Sequence, residues 1–106
     1  MRKRPDIPDV VRAAIRELRE ISGAEMVYLF GSRARGDHHE DSDWDLALIL
    51  PDDAARRDLQ RSRYLAVHPD AGIEVHPLRR FVYENKKHRP GTLSRSIAEE
   101  GVLVVD

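Results

Sequence analysis

A chain of 106 residues with 41% apolar and 35% charged side chains has the composition of one globular domain with a heavily charged surface. Its formal net charge of −1 gives no global field that favours nucleic acid or a membrane. The lack of cysteine removes disulfides, thiolate metal sites and cysteine nucleophiles together. No apolar stretch approaches membrane-spanning length, and none follows the basic start Met1-Arg2-Lys3-Arg4, so a cytoplasmic protein without a membrane partner is the expectation.

In chain order, Pro8 suits the first turn of a helix in which Val10, Val11, Ala14, Ile15, Leu18 and Ile21 form one apolar stripe and Gly23 is the C-cap. Residues 25–30 are almost continuously apolar and predict a strand covered on both faces. A second strand is expected from Asp43 to Leu50, stopped by Pro51, and then a helix from about Asp53 to Val67. Ile73 to Pro77 alternates as a third strand, with Glu74 and His76 on one face. A helix over 79–86 is expected to pack Phe81 and Val82 inward. Thr92 or Ser94 caps a last helix that Gly101 ends, and Val102–Val105 closes the chain as a strand. No repeat or linker divides the sequence, so residues 1–106 read as a single domain.

The chemistry concentrates between Gly31 and Asp45. Gly31-Ser32-Arg33-Ala34-Arg35-Gly36 follows the first strand, and Ser42-Asp43-Trp44-Asp45-Leu46 opens the second. The glycines permit unusual backbone angles and close approach of a ligand, and a serine at a helix start offers donors to phosphate. Asp43 and Asp45 are two apart in a predicted strand, so both carboxylates face the same way and repel unless a cation lies between them. Oxygen ligands favour a hard divalent ion such as Mg²⁺. Phosphate cradle and cation site side by side suggest a nucleoside triphosphate with its metal. For the site to assemble, the first two strands must run antiparallel.

These residues resemble the signature of the DNA polymerase β-like nucleotidyltransferase superfamily: a Gly-Ser turn and, one short loop later, a paired Asp-x-Asp. The short length and the Ala-Arg-Gly form of the turn are similar to the minimal nucleotidyltransferases (MNT), often antitoxin partners of HEPN-domain proteins. The resemblance implies an α/β fold with α+β character, a mixed, partly antiparallel sheet of about four strands with helices packed on it. It implies that Asp43 and Asp45 hold two Mg²⁺ ions bridging the triphosphate of ATP and the attacking hydroxyl. The superfamily's third acid is usually Asp; here the matching position is Glu74, with the same charge and ligand atoms but one more methylene. Glu74 therefore serves as the third carboxylate, serves poorly, or is a surface acid.

Each residue also has a plainer reading. Ser32 either binds a terminal phosphate or caps a turn, and Gly31 gives steric clearance or simply turns the chain. Arg33 and Arg35 either contact phosphate or pair with Asp37, Glu40 and Asp41. His76 shares a face with Glu74 and either supports the site from behind the acids or is structural, as a lone strand histidine more often is, and His38 and His39 make a poor metal signal. Trp44 points away from the acids into the core. Arg79, Arg80, Lys86, Lys87, His88, Arg89 and Arg95 form a basic cluster that either meets RNA or an acidic protein surface or, as the favoured reading, is a solvated face; aromatics at 6% argue against direct nucleic-acid binding. The leading expectation is transfer of AMP from MgATP to a hydroxyl of a protein partner, a HEPN-domain toxin neutralised by modification. The alternatives are an antitoxin-like module that neutralises its partner by contact alone, and a nucleotide- or metal-sensing domain without transfer activity.

Overall fold

The structure, a computed structural model, describes residues 6–59 and 72–105. Its first helix, α1 (Asp9–Ser22), starts one residue later than the position of Pro8 suggests: Pro8 is the N-cap, and its carbonyl accepts from the amides of Val11 and Arg12. Gly23 ends the helix in the left-handed conformation at φ 71°. Val11, Ala14, Ile15 and Leu18 are buried, whereas Val10 and Ile21 lie about half exposed at 49% and 47%. The buried stripe is thus narrower than the periodic one.

Four strands form one sheet: β1 (Met26–Phe30), β2 (Trp44–Leu50), β3 (Ile73–Arg79) and β4 (Val102–Val105), in the order β3-β2-β1-β4. β1 is antiparallel to both β2 and β4, and β2 is parallel to β3. This is the mixed, partly antiparallel sheet expected from the sequence. β3 runs two residues beyond Pro77. That proline is tolerated because β3 is an edge strand, where a missing N–H can face away from the sheet.

The period of two along the strands divides the sheet into two packed faces. Val27, Leu29, Trp44, Leu46, Leu48, Leu50 and Val75 face α1 and form the larger core with Val11, Ile15 and Leu18. Phe30, Ala47 and Ile49 face the other way and pack with Tyr83 and Ile97. Tyr83 belongs to α3 (Arg80–Lys86) and Ile97 to α4 (Leu93–Glu100); between β1 and β2 lies the single-turn α2 (Ser32–Arg35). In α3 it is Tyr83, stacked 6.0 Å from Tyr28, that packs inward, while Phe81 is 47% exposed. With only two turns, α3 can bury one narrow edge, and Tyr83 takes it.

Asp52 and Asp53 lie in a turn, and helix is described only from 56 to 59; the rest of the span to Val67 lies outside the described residues. Instead of starting its own helix, Asp52 accepts a 2.7 Å hydrogen bond from the amide of Phe81, an orphan donor in the first turn of α3. Thr92 caps α4 by accepting from the amide of Arg95.

Candidate active site

The strand register sets the site. Phe30 pairs with Asp45 and Asp45 with Glu74, so these three side chains stand in one row across β1, β2 and β3. The next row is Tyr28, Ala47 and His76. Both rows lie on the α3/α4 face of the sheet, at its end nearest the Gly31 turn.

Gly31 joins that end to α2. It adopts φ +77°, where a side chain is strained, and a Cβ there would collide with the Asp45 carboxylate at Oδ2. Turn and carboxylate are therefore in contact, and only glycine fits. The Gly31 carbonyl accepts from the amides of Ala34 and Arg35, which builds the single turn of α2. The Gly31 amide donates at 3.1 Å to Glu100 Oε1, at the C-terminal end of α4. Glu100 Oε2 receives the guanidinium of Arg35 at 2.9 Å, and Arg35 also reaches Asp37 at 3.2 Å. These bonds raise the Arg35 pKa further, with Glu100 the larger cause.

Arg33 is engaged differently. Its guanidinium donates to the carbonyls of Ser42 and Glu40 at 3.0–3.2 Å and lies 4.5 Å over the Trp44 ring. It thereby ties the segment before β2 back onto α2. Of the basic cluster farther along the chain, Arg79 donates to the Ala54 carbonyl, and Arg80, Lys87 and Arg95 pair with Glu25, Glu84 and Glu99.

Among the described residues, one group of three offers ligand atoms all within 4.8 Å of one another: Asp45, Glu74 and His76. His76 Nε2 lies 3.5 Å from Asp45 Oδ1 and 3.7 Å from Glu74 Oε1. Both separations exceed a good hydrogen bond, and the nitrogen is buried with no hydrogen-bond partner. The Asp45 carboxyl is pushed above the ordinary carboxylate range, first by burial and then by the negative charge of Glu74, with His76 pulling the other way. A cavity of about 390 Å³ lies against Ile73, Glu74, Val75 and His76.

Asp43 stands outside this group. It precedes β2, is exposed, and its Oδ1 lies 3.2 Å from the point a Cβ on Gly72 would occupy. The amide of Trp44 donates to the Gly72 carbonyl at 2.7 Å, which continues the β2–β3 pairing to this point. The acids of positions 45 and 74 are thus neighbours, and 43 flanks them. Two residues of the arrangement were not assigned to the site from the sequence. His76 shares a face with Glu74, but its closeness to Asp45 follows from the parallel register. Glu100 is 69 residues from the amide it receives, a separation that carries no local signal.

The donor set suits a divalent cation: two carboxylates, a buried nitrogen without a partner, and negative charge that burial makes costly. Among the described residues, no helix is long and apolar enough to cross a membrane.

Comparison with curated proteins found no match. Two solved structures share the fold. One is a toxin–antitoxin structure with AMP-PNP, 22% identical with a TM-score of 0.57, covering 86% of this chain and 69% of the other. The second is a provisional nucleotidyltransferase from Sulfolobus solfataricus, 23% identical with a TM-score of 0.51, covering 92% of this chain and 87% of the other. A family profile described as a nucleotidyltransferase domain matches residues 11–104. With that match spanning nearly all of α1 through β4, this chain belongs to the nucleotidyltransferase domain family.

Proposed function

We propose that the chain transfers a nucleoside monophosphate, AMP from ATP, to a hydroxyl of a protein partner, and that the partner is a HEPN-domain toxin silenced by the modification. One observation carries this reading. The carboxylate of Asp45 touches the Gly31 turn on one side and faces Glu74 on the other, which supports a phosphate site and a cation site side by side. The AMP-PNP in the toxin–antitoxin relative of the same fold supports the choice of nucleotide and of partner class.

In this reading Ser32 and the first amides of α2, including that of Arg33, bind the terminal phosphates, because the opening amides of a helix have no intrahelical acceptor. The Arg33 guanidinium contributes by holding the segment that carries Asp43 in place. Asp43, Asp45 and Glu74 hold divalent cations, Mg²⁺ in the simplest case. A cation held by these carboxylates would supply positive charge to offset that of the transferring phosphoryl group. In this reading Glu74 meets an incoming hydroxyl and takes its proton, a role supported by its position on the edge strand and its 58% exposure. The acceptor brings its own binding surface.

The test is to incubate the chain with MgATP and the product of the neighbouring gene, then weigh that partner intact. An adenylyl increment that disappears in Asp43→Asn and Asp45→Asn is the expected result. A tight complex without any increment replaces the enzyme with a contact antitoxin.

A further inference from the structure

The group that converges at the end of β2 and β3 is not three carboxylates, since its third member is an imidazole. We propose that His76 is a direct ligand of the cation that Asp45 and Glu74 hold, so that this centre prefers a first-row transition ion over Mg²⁺. The proposal rests on the reading above only in placing a cation at Asp45.

The placement of His76 follows from its neighbours. The residue beside it on β2 is Ala47, whose methyl group leaves the imidazole room to lean across the strand. There the ring meets Phe30 edge-on, with centroids 5.2 Å apart and planes at 67°. That contact leaves Nε2 facing the two carboxylates rather than solvent. A buried ring nitrogen with no partner is costly as a plain packing element. As a ligand its position is explained, because donors each about 2.1 Å from one ion sit roughly 3–4 Å apart. The observed 3.5 and 3.7 Å separations fall in that range.

The consequence is selectivity. Mg²⁺ is served by oxygen donors and water and gains little from imidazole, whereas Fe²⁺, Ni²⁺, Cu²⁺ and Zn²⁺ accept it readily and N/O site affinity rises along the series that begins at Mn²⁺. Mn²⁺ is the weakest binder of that series, so a preference for Mn²⁺ over Mg²⁺ is the most demanding form of the test. It is also paramagnetic, so a bound nitrogen is detected directly.

Wild type and His76→Gln are titrated with Mn²⁺ and with Mg²⁺ by calorimetry, each metal-free protein being checked for cooperative unfolding. Wild type is expected to bind Mn²⁺ about tenfold or more tighter than Mg²⁺, and His76→Gln to lose most of that margin while Mg²⁺ affinity moves less than about threefold. Pulsed EPR of Mn²⁺-loaded wild type is expected to show nitrogen coupling from a bound imidazole, absent in His76→Gln. Because this signal is read on the native protein, a variant that fails to fold does not remove the test. Equal affinities for the two ions in wild type, or no nitrogen coupling, overturns the proposal. Asp45→Asn separates the two readings. If it abolishes binding while His76→Gln changes nothing, only the ligand role of His76 falls; if both ions still bind Asp45→Asn, the cation centre proposed for transfer falls as well.

Discussion

On the turn side of the site, the charged groups have partners. Arg33 is held by two carbonyls and a tryptophan ring, Arg35 by Asp37 and Glu100, and the Gly31 amide by the same Glu100. On the strand side the reverse holds. Among the described residues no lysine or arginine pairs with Asp45 or Glu74, and the buried Nε2 of the imidazole beside them has no hydrogen-bond partner. One half is stiffened by satisfied bonds before any ligand arrives, and the other stores negative charge at a cost. In the proposed function this difference divides the work: geometry is fixed on the side proposed for phosphate, and negative charge is held on the side proposed for a cation.

This contrast can be broken from either side. The largest effect is expected where the halves touch. Gly31→Ala forces a Cβ into the Asp45 carboxylate at a positive φ, so both must shift. Transfer should fall about a hundredfold, with a stability loss of about 1–3 kcal/mol. Product formation and thermal unfolding measured together check this. Unchanged activity would show that the contact between turn and carboxylate is incidental.

Arg33→Lys attacks the turn side alone. Lysine keeps the charge but cannot bond two carbonyls in one plane while covering Trp44. A loss of about 1–2 kcal/mol in unfolding free energy is expected, with nucleotide affinity nearly unchanged. A large drop in nucleotide affinity at full stability would instead assign the guanidinium to phosphate.

The smallest effect sharpens the strand side. The folded Asp45 carboxyl keeps its proton to higher pH than the unfolded one. Across the interval between those two values the folded state binds more protons, so stability falls as pH rises and stays at the lower level above it. Thermal unfolding in a chelator should show this decline just above the usual carboxylate range, and Asp45→Asn should remove it. A divalent cation should reverse it, since its charge replaces the proton.

The sequence made much of this legible because the signals were local. The apolar runs at 26–30 and 44–50, the glycines at 23, 31 and 101 and the Thr92 cap set elements that depend on neighbours along the chain. Val10, Ile21 and Phe81 were misjudged for one reason. Periodicity shows that a residue is apolar on a face, but the width of the neighbouring layer decides whether that face is covered. A helix was expected from about Asp53, which lies in a turn, and the neighbouring Asp52 satisfies the acidic preference across space at the start of α3.

For the site, the chain alone gathered the candidates Gly31, Ser32, Asp43 and Asp45 into one short stretch, and the family resemblance added Glu74. The parallel register of β3 on β2 decided that Glu74 stands beside Asp45, that His76 leans over Ala47 toward both, and that Asp43 flanks the group. Helix α4 decided that Glu100 reaches the Gly31 amide. Such pairings join positions tens of residues apart, and the free energy that selects them belongs to the packed sheet and its two covered faces, not to any local stretch of sequence.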